Sequence, residues 1–379
     1  MSGYIYDADG NVYNLKEVEL ASVKSTESAI GAVYRAVQKR PYWVLHLDCG
    51  RKFFSVANIK SMIDAMQTNG MNQLQLHFSD NQGFRFALDD MNIVTEDGTS
   101  YDISSILTTT SGGYLTQDEM DEIIVYAKGK SIDIVPSLDM PGHMSNILAN
   151  YSDFRYNGKA WTLDCKNQTA VSFALAMIEK FANYFSSRGC KYWNIGADEI
   201  VTANNASGYW KNVPSEDIPY FIQFINKASE VVAKNGMIPR VFNDGVLYGA
   251  DYANYFNRNI EVYSWCSATT EGDTNIQSAE VLRKNGFRLI NTNKTWYFIV
   301  PTSNNRTSNS AVENANILKS FISGNLASDQ DGACICIWCD NDTTADGGDA
   351  ALASILADIA SLGRGIQLTL PNLDYPVID

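Results

Sequence analysis

Short apolar runs alternate with amphipathic stretches along most of the chain, and this alternation predicts strands separated by helices. The helical stretches repeat their apolar residues every three or four positions, and one of them starts with the capping box Thr116-Gln-Asp-Glu119. Strands are predicted over residues 43–47, 73–78, 132–136, 193–195, 238–242, 260–264, 287–290 and 333–337. Helices are predicted over residues 56–68, from 116 onward, and over 170–186, 218–234, 278–284 and 350–362.

About eight strands, nearly all separated by helices, predict an α/β protein whose main body is a (β/α)8 TIM barrel. A doubly wound open sheet is the alternative architecture. It usually has fewer strands and a glycine-rich phosphate loop after the first one, whereas no G-x-G-x-x-G sequence follows Leu47. The barrel is therefore the favoured fold.

The N-terminal segment lies outside this repeat. Residues 4–13 surround an Asp-Gly turn and predict a small hairpin, and residues 25–38 predict a helix. No linker rich in Pro, Gly or Ser follows, so residues 1–40 are interpreted as an appendage on a catalytic barrel of residues 41–379. Within the barrel, residues 81–113 carry Gly, Asp and Thr and predict a long loop excursion.

Composition narrows the class of protein and of partner. Among 379 residues, 45% are hydrophobic and 19% are charged, which is the balance of a soluble globular protein with a full core. The net charge of -14 argues against nucleic acid and anionic membranes as partners. No apolar run has the length of a membrane span, so no membrane insertion is expected.

The compartment is left open by the sequence. The start Met1-Ser-Gly-Tyr4 has no basic region followed by an apolar core, so no signal peptide is expected. A cytoplasmic protein and a domain of a secreted or cell-surface bacterial enzyme both fit.

The cysteines predict neither a disulfide framework nor a metal centre. The chain has 7 Cys, an odd number that excludes complete pairing. Cys334, Cys336 and Cys339 lie close in sequence, but no second Cys-x-x-Cys and no nearby His accompany them. A buried strand that uses Cys as a small apolar residue is the simpler interpretation. We predict no metal and no cofactor.

Polar and aromatic residues gather where the predicted strands end. Barrel enzymes place their chemistry at the C-terminal ends of the strands, so these residues are candidates for one site. They are Arg51, Asp80, His143, Asp198, Glu199, Trp265, Tyr297, Trp338 and Asp340. The chain also has 20 Tyr and 7 Trp, a content that suits a carbohydrate site as well as an aromatic core.

Asp198 and Glu199 are the most informative pair in this set. Two carboxyl groups this close resist joint ionisation, which raises one pKa and keeps a proton available near neutral pH. An acid beside a carboxylate partner is what cleavage of a glycosidic bond requires. The alternative interpretation is a helix N-terminus, where acidic residues interact favourably with the helix dipole.

Four motifs resemble those of the family 20 glycoside hydrolases, the β-N-acetylhexosaminidases, over most of residues 30–365. The last two motifs are specific to that family, and all four occur in its order. In this chain they read Leu47-Asp-Cys-Gly-Arg-Lys-Phe53, Leu76-His-Phe-Ser-Asp80, Ser137-Leu-Asp-Met-Pro-Gly-His143 and Asn194-Ile-Gly-Ala-Asp-Glu199.

The resemblance implies a retaining exo-β-N-acetylhexosaminidase that works by substrate-assisted catalysis. Its substrate would be an oligosaccharide or glycoconjugate with a terminal N-acetylhexosamine. The resemblance makes Glu199 the acid and base, while Asp198 orients the 2-acetamido group, whose oxygen attacks the anomeric carbon and forms an oxazolinium intermediate. Tyr297 would hold the acetamido carbonyl, and the adjacent Trp296 leaves that assignment ambiguous by one residue.

The resemblance also implies a sugar pocket. Arg51 would bind the 3- and 4-hydroxyls, Asp340 the 4- or 6-hydroxyl, and Trp265 and Trp338 would form walls. The predicted substrate-binding set is completed by Asp80, His143, Phe242 and Trp296. Phe242 stands where the family usually has Trp, and Asp340 where many members have Glu, so the choice among GlcNAc, GalNAc and a disaccharide stays open.

Other functions are carried forward as alternatives. Within the family they are a lacto-N-biosidase and a poly-β-1,6-GlcNAc hydrolase. A catalytically silent sugar-binding module is a further alternative, although Asp198 and Glu199 are both intact. Metal-dependent hydrolysis through His46, His77 and His143 is disfavoured because no His-x-His spacing occurs.

Overall fold

A computed structural model gives the fold, and the residues it describes are 4–6, 12–14, 42–68, 70–200, 213–247, 252–266, 278–292, 298–299 and 331–340. In chain order, the strands in these ranges are β1 (Tyr4–Tyr6), β2 (Val12–Asn14), β3 (Tyr42–Asp48), β4 (Gln73–Asp80), β5 (Gly83–Phe84), β6 (Asn92–Val94), β7 (Ser100–Asp102), β8 (Asp133–Met140), β9 (Tyr192–Gly196), β10 (Ile238–Phe242), β11 (Glu261–Ser264), β12 (Arg288–Asn291), β13 (Phe298–Ile299) and β14 (Gly332–Ile337).

Helices separate most of these strands. The α-helices within the described ranges are α1 (Val56–Thr68), α2 (Gln117–Gly129), α3 (Ser145–Leu148), α4 (Gln168–Ser187), α5 (Ile218–Lys234), α6 (Asp244–Leu247) and α7 (Ala279–Lys284). Short 3-10 helices lie at Ser104–Ile106, Ser152–Phe154, Tyr156–Gly158 and Tyr252–Tyr255.

Among the described residues, eight parallel strands form a closed barrel in the order β3, β4, β8, β9, β10, β11, β12 and β14. β14 pairs with β3 from Gly332 opposite Tyr42 to Ile337 opposite Leu47. β12 pairs with β14 at Ile290 opposite Gly332, which closes the sheet on itself. These pairings confirm the predicted (β/α)8 TIM barrel.

The core lies inside the barrel and between the barrel and its helices. Every residue of β3, β4 and β14 is buried, because one face of each strand points into the barrel and the other meets a helix. In α5, Phe221, Ile222 and Ile225 form part of the buried stripe. The predicted bounds of α1 and α5 agree with the structure, and Thr116 and Glu119 form the predicted capping box of α2.

β8 is longer than predicted. It runs from Asp133 to Met140, past Pro136, where the prediction ended. Pro136 lies opposite Leu76 of β4, whereas pairing between β8 and β9 begins only at Ser137. The proline therefore does not end the strand, and Asp139 lies within it rather than in the following loop.

The excursion over residues 81–113 is not an unbroken loop, so that prediction was wrong in detail. It contains β5, the antiparallel β6–β7 hairpin and the 3-10 helix at Ser104–Ile106. Strands of two or three residues are too short to show an alternating pattern in the sequence. Ile93, Ile103 and Ile106 are buried and join the hydrophobic core of the barrel.

The N-terminal hairpin is confirmed, because β1 and β2 pair antiparallel with Tyr4 opposite Asn14. The predicted helices over residues 25–38 and 350–362 lie outside the described residues. The division into an appendage and a barrel at residue 40 stays a prediction.

The structure also bears on the cysteines and on membrane spans. All 7 cysteines are buried and free of disulfides, and β14 uses Cys334 and Cys336 as apolar strand residues, as predicted. Within the part of the chain that the structure describes, no helix combines the length and apolarity that crossing a membrane requires.

Candidate active site

The C-terminal ends of the barrel strands carry the candidate residues. Asp80 ends β4, Asp139 is the penultimate residue of β8, and β9 ends two residues before Asp198. Trp265 directly follows β11, and Trp338 directly follows β14. Because the barrel strands are parallel, all of these ends lie on one face of the barrel, where the side chains converge.

Arg51 lies among three carboxylates on this face. Its Nη1 is 2.9 Å from Asp48 Oδ2, and its Nη2 is 3.0 Å from Asp80 Oδ2 and 3.8 Å from Asp340 Oδ1. The guanidinium also lies 5.5 Å from the centroid of the Trp338 ring. Asp48 holds the loop as well, because it accepts hydrogen bonds from the backbone N–H groups of Arg51 and Cys339. Ion pairs thus hold the Arg51 guanidinium in place next to the Trp338 ring.

His143 connects the Arg51 cluster to the paired carboxylates. Its Nδ1 lies 3.2 Å from Asp80 Oδ1, and its Nε2 lies 3.2 Å from Glu199 Oε2 and 3.7 Å from Asp198 Oδ2. Asp80 also contacts His77 Nε2 at 3.1 Å. The imidazole therefore stands between a buried carboxylate on one side and the acid pair on the other.

The charges in this chain of contacts are set by its geometry. Burial alone would lower the pKa of His143, but the carboxylates of Asp80, Glu199 and Asp198 outweigh burial and raise it well above its ordinary value. Burial alone would raise the pKa of Asp80, but His143, His77 and Arg51 outweigh burial and hold the Asp80 pKa well below the usual range. At neutral pH, His143 is therefore an imidazolium and Asp80 a carboxylate.

Asp198 has a second carboxyl neighbour, Asp139. Ligand atoms of Asp139, His143 and Asp198 all lie within 4.8 Å of one another. Burial and the nearby Asp198 raise the pKa of Asp139 well above its ordinary value. Burial and the neighbouring Glu199 also raise the pKa of Asp198, although the charge of His143 opposes that shift. The shift is larger for Asp139, so Asp139 is the acid that keeps a proton. Gly196 has φ +83°, and its missing side chain leaves the space that the Asp139 carboxyl group occupies.

The backbone around the acid pair is strained. Ala197 and Glu199 have φ of 64° and 47°, the left-handed region that side chains disfavour. Asp244, the first residue of α6, accepts a hydrogen bond from the Glu199 N–H at 2.7 Å through Oδ2. Its Oδ1 accepts another from Trp265 Nε1 at 2.8 Å. The acid pair is thereby held by groups from neighbouring strands.

Aromatic side chains form one side of the site. The Trp338 ring lies 4.2 Å from His46 and 5.9 Å from Phe242, measured between ring centroids. Phe242 is only 1% exposed, so it backs Trp338 from inside the barrel. Trp296 and Tyr297 lie outside the described residues, and their placement stays a prediction.

Two overlapping groups on this face have the spacing of cation ligands. They are His77, Asp80 and Asp139, and Asp139, His143 and Asp198. Their charges already have counterions, because Arg51 and the imidazolium of His143 pair with Asp80 and with the acid pair. His46 belongs to neither group. Its Nδ1 lies 2.7 Å from Gln75 Nε2 instead. The histidine set proposed for metal-dependent hydrolysis thus does not form one ligand sphere within the described residues.

The structure brings most of the predicted residues together. Arg51, Asp80, His143, Asp198, Glu199 and Asp340 are linked by direct contacts, Trp338 packs on Arg51, and Trp265 joins through Asp244. The predicted set missed Asp48, Asp139 and Asp244. Each lies at or just beyond the end of a barrel strand, and a rule that selects every carboxylate in such a position would have found them.

A (β/α)8 barrel with an adjacent pair of carboxylates among aromatic and charged side chains at its C-terminal face is typical of a glycoside hydrolase. The family model for the glycosyl hydrolase family 20 catalytic domain matches residues 41–351, and the chain belongs to this family.

Curated relatives share part of the chain. A β-hexosaminidase of Akkermansia muciniphila is 25% identical over 273 residues, which are 66% of this chain and 52% of the relative. A lacto-N-biosidase of Bifidobacterium bifidum is 26% identical over 199 residues, which are 49% of this chain and 17% of the relative. The chain thus spans about half of the first relative and less of the second.

Solved structures share the fold. A structure of the pneumococcal virulence factor StrH superposes with a TM-score of 0.73 and 24% identity, covering 85% of this chain and 83% of that one. Dispersin B superposes with a TM-score of 0.67 and 22% identity, covering 86% and 98%. At such identities the likeness establishes the barrel architecture alone.

Proposed function

We propose that the protein is a retaining exo-β-N-acetylhexosaminidase that removes terminal β-linked GlcNAc or GalNAc from glycans. The observation that carries the proposal is the acid pair at the end of β9, with His143 Nε2 3.2 Å from Glu199 and 3.7 Å from Asp198. Family membership and the β-hexosaminidase relatives support the substrate class.

The two acids differ in exposure, and this difference supports different roles. The Glu199 side chain is 33% exposed, whereas that of Asp198 is 11% exposed. Glu199 can therefore reach the glycosidic oxygen of a bound glycan, while Asp198 faces the interior. In the first step Glu199 gives its proton to that oxygen, and the leaving alcohol departs.

The nucleophile in this step is the substrate's own acetamido oxygen. It attacks the anomeric carbon as the glycosidic bond breaks, and the acetamido nitrogen gains positive charge in the oxazolinium ring. The Asp198 carboxylate accepts the acetamido N–H and stabilises that charge. The charge of His143, whose Nε2 lies 3.7 Å from Asp198 Oδ2, favours the ionised form of Asp198 for this task.

A water molecule completes the reaction. Glu199, now a carboxylate, takes a proton from the water as its oxygen attacks the anomeric carbon and opens the ring. The product recovers its acetamido group and keeps the β configuration, and Glu199 is protonated again. His143 lies beside Glu199 throughout, so its positive charge stabilises the carboxylate between the two steps.

The remaining residues bind the sugar. Arg51 offers its guanidinium to the 3- and 4-hydroxyls, and Asp340, whose side chain is 49% exposed, accepts a 4- or 6-hydroxyl. Trp265 and Trp338 form apolar walls, with Phe242 behind Trp338. Tyr297, to which the family resemblance assigns this role, would donate its hydroxyl to the acetamido carbonyl.

Replacement of the acid tests the proposal. In Glu199→Gln the amide has no acidic proton to transfer to the leaving oxygen and cannot act as a base toward water, so release of 4-nitrophenol from 4-nitrophenyl N-acetyl-β-glucosaminide falls by about 10²–10⁴-fold. The control is Glu179→Gln, whose carboxylate pairs with Lys234 on the exposed side of the helices and whose variant keeps wild-type turnover. Near-wild-type turnover in Glu199→Gln would contradict the assignment.

A second specificity has an observation in its favour. Phe242 replaces the usual Trp behind Trp338, and a lacto-N-biosidase is among the relatives. Aryl β-glycosides of GlcNAc, GalNAc and lacto-N-biose distinguish the two functions. Faster release from the disaccharide than from either monosaccharide identifies a lacto-N-biosidase.

A further inference from the structure

We propose that Asp244 is a positioning residue that fixes the acid Glu199 and the pocket wall Trp265 to one buried carboxylate. This inference rests on the proposed function, because Asp244 is proposed to position Glu199, the general acid of that function. The geometry is a fork, with Glu199 N–H at 2.7 Å from Oδ2 and Trp265 Nε1–H at 2.8 Å from Oδ1.

The position of Asp244 makes this fork rigid. Its side chain is fully buried at the end of β10, between the loops that follow β9 and β11. The neighbouring Asn243 fixes the same loop, because its Oδ1 accepts the Trp265 backbone N–H at 2.9 Å and its Nδ2 donates to the Cys266 carbonyl at 2.8 Å. Both the backbone and the indole of Trp265 are therefore held from the end of β10.

Glu199 has a specific need for such a support. Its backbone lies at φ 47° and follows Ala197 at φ 64°, so this segment does not hold its conformation by local preference. Gly245 lies against Ala197 so closely that a Cβ at position 245 would collide with the Ala197 carbonyl oxygen. This close approach brings the carboxylate of Asp244 to the Glu199 N–H, and the carboxylate then sets the direction in which the Glu199 side chain leaves the backbone.

The chemistry of the fork requires a carboxylate. An ionised carboxyl group accepts on both oxygens, whereas an amide in its place accepts on one and donates from the other. In Asp244→Asn one of the two N–H groups therefore faces another donor. Burial and the nearby Asp198 raise the pKa of Asp244 well above its ordinary value, and the hydrogen bonds from Glu199 and Trp265 oppose this shift. The geometry, with one N–H donor on each oxygen, is that of a carboxylate.

The test compares two substrates that differ in their need for an acid. N,N′-diacetylchitobiose has an alkoxide leaving group and depends on protonation, whereas 2,4-dinitrophenyl N-acetyl-β-glucosaminide departs without it. The comparison uses kcat/KM, which reports the step in which the leaving group departs and not the later water step that both substrates share. A displaced acid costs on the order of 100-fold in this step when protonation is required. We therefore expect Asp244→Asn to lose about 100-fold in kcat/KM on the disaccharide and less than about fivefold on the aryl glycoside, since only general acid catalysis distinguishes the two substrates in this step.

A matched control separates positioning from stability. Asp331, at the opposite end of the barrel, also accepts a backbone N–H, from Leu289 at 2.9 Å, and pairs with Arg283. Asp331→Asn is expected to lower the melting temperature but to keep the wild-type ratio of the two kcat/KM values. If Asp244→Asn yields no folded protein, Asp244→Glu replaces it, and its longer arm should also lower the disaccharide rate selectively.

The possible results test the role of Asp244 separately from the proposed hydrolase activity. Selective loss on the disaccharide in the Asp244 variant, with an unchanged ratio in the Asp331 control, supports the inference. Equal losses on both substrates, or no loss on either, overturn the inference. In that case the proposed function still holds, provided that the wild-type protein hydrolyses both substrates. A wild-type protein that hydrolyses neither substrate overturns the proposed function and the inference with it.

Discussion

At the scale of single residues, the contact between Asp139 and Asp198 explains how one acid of the site stays ionised. Two buried carboxylates at this distance would repel each other, and one proton between them removes the repulsion. Burial places that proton on Asp139, the more enclosed of the two. Asp198 then keeps its negative charge and can accept a hydrogen bond from a substrate N–H.

The protonated Asp139 predicts an unusual dependence of stability on pH. Its pKa is raised in the folded protein, so the folded state keeps a proton that the unfolded state has lost above about pH 4. Wild-type stability therefore falls as the pH rises from that value through the raised pKa. Asp139→Asn keeps a donor toward Asp198 but does not titrate, so its melting temperature should rise relative to wild type over this interval.

An aspartate with the opposite shift is the control. A hydrogen bond from Arg188 lowers the pKa of Asp121, so its contribution to stability is present above about pH 4 and is lost as the pH falls. The wild-type advantage over Asp121→Asn should shrink toward acid. An Asp139→Asn difference that stays constant from pH 4 to pH 8 would show that Asp139 is not the proton carrier.

At the scale of elements, the two ends of the barrel strands serve different purposes. The N-terminal half of the barrel interior holds Arg240, which is fully buried and pairs with Glu261 at 2.8 Å. Its Nη1 also donates to Gln73 at 2.7 Å and to the Tyr263 hydroxyl at 3.0 Å. These contacts join β4, β10 and β11, and they lie on the side of the barrel away from the acid pair, where stability rather than chemistry is expected to be encoded.

Removal of this ion pair should therefore affect stability alone. Arg240→Met leaves Glu261 buried with Arg288 and the Tyr42 hydroxyl as its remaining partners, and the free energy of unfolding is expected to fall by about 3–5 kcal/mol. Urea unfolding at neutral pH measures the loss, while kcat on the GlcNAc aryl glycoside stays at the wild-type value under folding conditions. The surface pair of Arg188 and Asp121 is the comparison, and Arg188→Met should cost less than about 1 kcal/mol. A changed kcat in Arg240→Met would contradict the separation of the two ends.

The elements also show why the sequence predicted some features and not others. Long amphipathic segments such as α1 and α5 repeat their apolar pattern several times, so their bounds were predictable. β6 and β7, with three residues each, have no room for a pattern, and the extension of β8 past Pro136 depends on pairing with β4. Local sequence does not encode such tertiary pairings.

The candidate site was likewise predictable only where local sequence determines it. Its members could be located because each follows an apolar run, and the order of the four motifs indicated one family. Their partners could not be assigned, because Asp244 and Glu199 are 45 positions apart and meet only once β9 and β10 are adjacent. The two hydrogen bonds that Asp244 accepts, and the contact between Asp139 and Asp198, both result from barrel closure.

At the scale of the whole molecule, the acidic chain concentrates buried positive charge at its candidate site. The net charge is -14, yet Arg51 and the imidazolium of His143 lie at the centre of the catalytic face. Each is matched by carboxylates, so the site presents paired charges to a neutral sugar. Polar hydroxyls and an acetamido group can enter such a site without bringing an unpaired charge with them.

The central claim is that the substrate supplies its own nucleophile, and one comparison tests it most directly. Purified wild-type protein is assayed with 4-nitrophenyl N-acetyl-β-glucosaminide and with 4-nitrophenyl β-glucoside, which differ only in the 2-acetamido group. A positioned internal nucleophile contributes several orders of magnitude, so we expect kcat/KM for the first substrate to exceed that for the second by at least about 10³-fold. Cleavage of the two substrates at comparable rates would contradict substrate-assisted catalysis.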